Sequence, residues 1–203
     1  MKGWLLCSIV FFGVAVTSAS ADTITWNFST GTSMSLGSMS HTFVSDGIGI
    51  GILASSSTDL FLKAGGGDEN GLGLTCCDSD HEINLGQSIM FDLSSLFSHN
   101  VTSLTLMLGS IQSGESAQVC DLDLCITFNS SDDTKAVSIM TLYTDMKKHD
   151  SGTLTINGVT GDVLVDQMEA TTSVPEPSSL LLVGNGIFML AGAGVVRKGL
   201  RRR

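Results

Sequence analysis

The sequence predicts an all-β fold, an antiparallel β-sandwich of jelly-roll-like character, set between two apolar ends. Three observations predict it. Between residues 22 and 170, apolar and polar residues alternate at period two in short runs, as strands with one buried face require. Clusters of Gly, Ser, Asn and Asp separate those runs, which is how antiparallel strands are connected. Convincing helical periodicity is lacking over the same stretch, so a layered sheet structure is the expected way to bury the apolar face.

The elements follow in chain order. Residues 1–21 carry one charge, Lys2, then an apolar run from Trp4 to Val16 and the small-residue site Ala19-Ser20-Ala21. A basic start, a short apolar stretch and an A-x-A site describe a secretory signal peptide cut after Ala21. The run is well short of the ~20 apolar residues of a membrane span. The strands expected next are TITWNF, HTFVS, IGIGILA, LFLKA, SIMFDL, VTSLTLMLGS, CDLDLCITF, AVSIMTLY, GTLTINGV and DVLVDQM. In VTSLTLMLGS, Leu104, Leu106 and Leu108 share one face; in GTLTINGV, Leu154 and Ile156 point inward. The glycines of IGIGILA alternate within a strand, and no Rossmann context follows them.

Charge narrows the function classes. From residue 22 to 173 there are 19 acids, four lysines (Lys63, Lys135, Lys147, Lys148) and no arginine. Such a surface repels phosphate backbones, which argues against nucleic-acid binding. Loss of the signal peptide leaves Cys76, Cys77, Cys120 and Cys125, and an even number in an exported domain favours disulfides. A bond between the neighbours Cys76 and Cys77 would be strained, so each is expected to reach the 120–125 segment. One continuous strand over 120–128 would put Cys120 and Cys125 on opposite faces, too far apart to bond; a tight hairpin at 121–124 would reverse that. C-x-x-C spacing, the usual mark of structural zinc, is absent.

The stretch GGGDENGLGLTCCDSDHE packs Asp68, Glu69, Asn70, Asp78, Asp80 and Glu82 into a short loop. Oxygen donors at that density suit Ca²⁺, with Asp121, Asp123, Asp132 and Asp133 as further donors, although a solvated acidic loop is the better account of them. Catalysis finds little support, since G-x-S-x-G, S-x-x-K and H-E-x-x-H are absent and the four histidines are scattered. Carboxylate pairs such as Asp78/Glu82 arise by chance among so many acids. The aromatics are too few and too evenly spread to mark a sugar-stacking platform. The domain is therefore expected not to be an enzyme.

The C-terminal end is the most specific part. Both prolines of the chain flank one glutamate, Val174-Pro175-Glu176-Pro177. Each proline fixes its own φ and pushes the residue before it towards an extended conformation. A linker over 171–179 then leads into an apolar run at 180–196, about 26 Å long as a helix. The basic cluster Arg197, Lys198, Arg201, Arg202 and Arg203 closes the chain at 197–203. The positive-inside rule leaves that cluster cytoplasmic and the acidic domain on the outer face.

This order of motif, apolar helix and arginine cluster resembles the PEP-CTERM sorting signal. The resemblance covers roughly the last 30 residues. It implies export through the inner membrane and transient anchoring by a single transmembrane helix. An exosortase-type membrane transpeptidase would then recognise Val174, Pro175, Glu176 and Pro177 and remove the helix. The mature form would reach the cell surface or the extracellular matrix of an exopolysaccharide-producing bacterium. The segments GGGDENGLGL, DHEI, SIMFDLS and SLTLMLGSIQSGE are similar to a pattern recurrent in the ectodomains of such proteins, which implies a shared sandwich. Two roles for the delivered domain follow: a structural or interaction role linked to exopolysaccharide, or a lectin-like carbohydrate-binding module, with or without calcium. An exposed aromatic row, or a concave face with convergent amides, would mark the second; a Ser/Thr-covered face would mark the first.

Overall fold

The computed structural model describes residues 21–29, 31–55, 57–75 and 80–173. They form two mostly antiparallel sheets around one apolar core, an all-β sandwich. The strands are β1 (Ala21–Asn27), β2 (Met34–Ser35), β3 (Ser40–Ser45), β4 (Ile48–Ala54), β5 (Leu60–Ala64), β6 (Asn70–Leu74) and β7 (Ser88–Asp92). After a 3-10 turn at Ser94–Ser98 come β8 (Val101–Gly109), β9 (Ser116–Cys120), β10 (Cys125–Asn129) and β11 (Ala136–Ser138). Helix α1 (Met140–His149) precedes β12 (Thr153–Thr160) and β13 (Leu164–Ser173).

The first sheet runs β11-β8-β13-β6-β5-β2, with β1 also paired to β13; the second runs β10-β9-β12-β7-β4-β3. Alternation does what the sequence pattern requires. Leu104, Leu106 and Leu108 of β8 and Met168 and Ala170 of β13 face Ile50, Ile89, Phe91, Leu154 and Ile156 of the other sheet, all buried. Each of the larger side chains contributes about 1.5–3 kcal/mol on burial, so the core is the main stabilising term. Two polar tips buried in it are satisfied: Trp26 Nε1 donates to the Ile48 carbonyl at 3.2 Å, and the Tyr143 hydroxyl to that of Leu96 at 2.9 Å.

Some expectations needed correction. AVSIMTLY was expected as one strand, but only Ala136–Ser138 is strand and α1 begins at Met140. Leu142, Tyr143 and Met146 make the buried stripe of that helix, and Asp150 ends it at φ 54°, donating its N–H to Met146. NGLGL, expected in a loop, is β6. Strand β13 continues through Ser173, so residues 171–173 are not linker.

The largest correction is at the cysteines. Cys120 bonds Cys125, not Cys76 or Cys77. The chain reverses at 121–124 instead of running straight on, so the two cysteines sit directly opposite across the β9–β10 ladder. Asp121 Oδ1 accepts the Asp123 N–H and the Asp121 N–H donates to Leu124, which closes the turn. Cys76 and Cys77 lie outside the described residues, as do the stretch 1–20, the sorting motif, the apolar run 180–196 and the basic tail. Among the described residues no helix is long and apolar enough to cross a membrane.

Candidate functional site

Four elements converge on one polar cluster, buried at Glu82 and Ser110 and partly exposed at Glu69. Lys63 projects from β5 on the face opposite to the core-facing Leu60 and Leu62. Its ammonium touches the Glu69 carboxylate and lies 2.5 Å from Glu82 Oε1. Ser110, one residue past β8, shares its hydroxyl proton between Glu82 Oε1 at 3.0 Å and Glu69 Oε1 at 3.2 Å. The Glu82 side chain is 5 % exposed and that of Lys63 14 %, so the groups interact largely away from water.

Local backbone chemistry sets each member in place. Glu69 is delivered by a tight turn in which the Gly65 N–H donates to the Glu69 carbonyl, the Glu69 N–H to that of Gly66, and Gly66 and Gly67 take positive φ. The Asn70 side chain braces that turn, accepting from Gly66 N–H and donating to the Gly67 carbonyl. Glu82 arrives on a segment laid against β6, where a Cβ on Gly73 would stand 2.0 Å from the His81 carbonyl oxygen. Only glycine permits that approach. His81 and Ser110 both hold positive φ, 57° and 65°, which is uncommon for residues with side chains. The His81 ring stacks on Phe61, centroids 3.9 Å apart.

The electrostatics follow from one cation facing two acids. Burial pushes Glu82 up, to about 7, and outweighs the pull of Lys63 in the other direction. The bond from Lys63 holds Glu69 below the ordinary carboxylate range. Burial alone would lower Lys63, but Glu69 and then Glu82 lift it above its ordinary value. The ammonium is therefore a fixed cation, not a nucleophilic amine. Below about pH 7 the cluster holds one more proton than full ionisation would allow.

The proposed metal donors separate accordingly. Glu69 and Glu82 do meet, but around Lys63, whose ammonium occupies the place between them. Asn70 is spent within its turn, and Asp80 is exposed. Asp132 accepts the Asn129 N–H, Asp133 that of Ile111, and Asp121 that of Asp123. Asp78 lies outside the described residues. Among the described residues, no three His, Cys, Asp or Glu side chains gather as a metal-binding group. Sequence reasoning missed Lys63 and Ser110. The alternation in LFLKA, which puts Phe61 and Lys63 on one face, was the available signal for the first; nothing local marked the second.

Two of the surface depressions among the described residues lie elsewhere. One, about 350 Å³, lies on the outer face of the second sheet, where Thr42, Leu53, Met90, Asp92 and Thr153 line it. The rest of that face presents Ser88, Thr155, Gln118 and Thr127, with no aromatic at an outward strand position. The other, about 420 Å³, separates Leu124 at the hairpin tip from Met140, Thr144 and Lys148 of α1. Comparison of the chain with known protein families, with curated proteins and with solved structures finds no match in any of the three.

Proposed function

We propose that this chain is an exported, exosortase-processed protein whose sandwich domain serves a structural or interaction role linked to exopolysaccharide. It would sit at the cell surface or in the extracellular matrix. The observation that carries this reading is the tail itself: Val174-Pro175-Glu176-Pro177, then the apolar run 180–196, then Arg197 to Arg203. The signal-peptide pattern at 1–21 supports it from the other end. So does the point where the domain stops, because β13 ends at Ser173, immediately before the motif. On this reading the partners are the processing transpeptidase, the inner membrane during anchoring, and exopolysaccharide afterwards; nucleic acid is not one.

The domain's role is read as non-enzymatic. Glu69, Glu82 and Ser110 come from three of the segments that resemble the recurrent ectodomain pattern, and with Lys63 they form a brace between elements. The sandwich is jelly-roll-like in that the chain crosses repeatedly between sheets, although the strand order within each sheet is its own. A face covered mainly by Ser, Thr and Gln favours the matrix role. The lectin-like alternative rests on the depression beside Asp92, with or without calcium.

Expression of the full chain with and without an exosortase, followed by intact masses of membrane and medium fractions, tests the reading. Loss of the tail beyond the Pro175–Pro177 motif only when the enzyme is present supports it. A tail that persists in both hosts overturns it. Applying the released product to a polysaccharide array, with and without calcium, then separates the two domain roles.

A further inference from the structure

We propose that β3 is a self-association edge, pairing antiparallel with β3 of a second copy of this chain. The inference goes beyond the delivery route and does not depend on it.

β3 is the last strand of its sheet, laddered to β4 on one side and to no strand on the other among the described residues. A free strand edge is a row of unsatisfied backbone donors and acceptors, and folded proteins normally blunt it with brevity, charge, proline or a bulge. The other edges here are shorter, tethered or charged. β2 and β11 have two and three residues. β10 is pinned at one end by the Cys120–Cys125 bond and at the other by a turn carrying Asp132 and Asp133. β1 carries a charge, Asp22, within the strand. β3 reads SHTFVS: six residues without formal charge, proline or bulge, held straight by the Asp46-Gly47 turn to β4.

Charge selects the occupant. The domain is strongly acidic, so two copies repel each other over most of their surface. From Thr23 to Thr58 the only formal charge is Asp46, which makes the β3–β4 region the place where a second copy can approach at low electrostatic cost. Exposed apolar groups collect there as well: Val44 at 68 %, with Met39 at 41 % and Leu53 at 40 %. The 350 Å³ depression opens on the same face, so a neighbour joined at β3 extends the sheet alongside it.

Symmetry limits the register. A twofold pairing requires residues facing each other across the axis to point to the same side, so their numbers must share parity. Two registers satisfy this and pair five of the six residues of β3. One centres on Thr42 and sets Val44 opposite the partner's Ser40; the other centres on Phe43 and sets Val44 opposite the partner's Thr42. Both cover Val44 with an uncharged residue.

The test is the mass of the full chain in mild detergent, by light scattering over a concentration series. Wild type should run as a dimer that dissociates on dilution. Val44→Lys and Thr42→Lys should each weaken dimerisation at least tenfold, while Leu122→Lys, at an equally exposed position on the β9–β10 turn, should not. Hydrogen exchange at high and low concentration should show added protection confined to 40–45. A wild type that is monomeric throughout overturns the proposal. So do dimers unaffected by either β3 lysine, which would place association elsewhere, such as in the apolar ends. Equal weakening by Leu122→Lys, or protection spread outside β3, would mean unspecific apolar clustering and would overturn it too.

Discussion

Replacing Glu82 with glutamine keeps the side chain's shape and removes its titration. In the unfolded chain this carboxyl loses its proton near 4.5; in the folded domain burial holds the proton until about 7. Between those values the folded state binds more protons than the unfolded one, so stability falls as pH rises. The contribution is complete below 4.5 and gone above about 7. At about 1.36 kcal/mol per pH unit, the span amounts to about 3 kcal/mol. Solvent screening takes little from that figure, because the side chain is only 5 % exposed.

Wild type should therefore lose about 3 kcal/mol more than Glu82→Gln between about pH 4.5 and 7.5, or roughly 6–12 °C in melting temperature for a domain of this size. Comparing the two proteins cancels titrating groups outside the cluster, such as Asp166, which burial also raises; Glu69 shares Lys63 and Ser110 with Glu82, and its own stabilisation runs the opposite way and is lost as pH falls. Thermal unfolding followed by the fluorescence of the buried Trp26, at half-unit pH steps, reads the difference directly. The glutamine protein should be the more stable of the two at pH 8. Parallel pH profiles would mean that Glu82 ionises normally in the fold, and the account of the cluster would fail.

Three further outcomes are expected. Lys63→Met leaves two acids without their cation and should cost about 3 kcal/mol near pH 8 but only about 1 near pH 5, where Glu82 keeps its own proton; the same melts measure it. Cys120→Ser with Cys125→Ser opens a short loop and should cost about 2 kcal/mol, and non-reducing peptide mapping of wild type should recover both cysteines bonded to each other, any 76–120 or 77–125 link refuting the hairpin. Gly73→Ala drives a methyl into the His81 carbonyl and should cost about 3 kcal/mol or more in denaturant unfolding; a loss under about 0.5 kcal/mol would show that the 81–83 segment does not rest on β6.

What the sequence made legible was the part governed by local alternation. TITWNF, IGIGILA, SIMFDL and VTSLTLMLGS all became strands, and in the last of them Leu104, Leu106 and Leu108 face inward as expected. Where the outcome depended on distant partners, the pattern misled. AVSIMTLY alternates well enough for a strand, yet its second half winds into a helix that buries Leu142, Tyr143 and Met146 and ties Tyr143 to Leu96. CDLDLCITF alternates through its whole length, and the turn at Asp121 is invisible to periodicity because Asp121 and Asp123 fit a strand's outer face as well as a turn. The cluster was half legible. Density of acids drew attention to Glu69 and Glu82, but the identity of what lay between them required knowing that β5 passes beneath both.

The pairing of the first and last strands has consequences for how this domain forms. β1 and β13 are joined from Ala21↔Ser173 to Asn27↔Gln167, almost the full length of the domain apart in sequence. β13 also carries β8 along its other side and meets β6, so it is the centre of its sheet. Until residues 164–173 are available, β8 and β11 have nothing to join them to β5 and β6, and Ile24 and Trp26 have no sheet to pack from. Contacts of such long range form slowly, because the loop must close before the pairing is rewarded. On the export reading that delay is useful: a chain entering the membrane from its first residue stays threadable until its last strand has followed. The same ladder places residue 21 opposite residue 173, so cleavage after Ala21 and processing beyond Ser173 would trim the ladder by one pair at most and leave its apolar pairs, Ile24↔Ala170 and Trp26↔Met168, untouched.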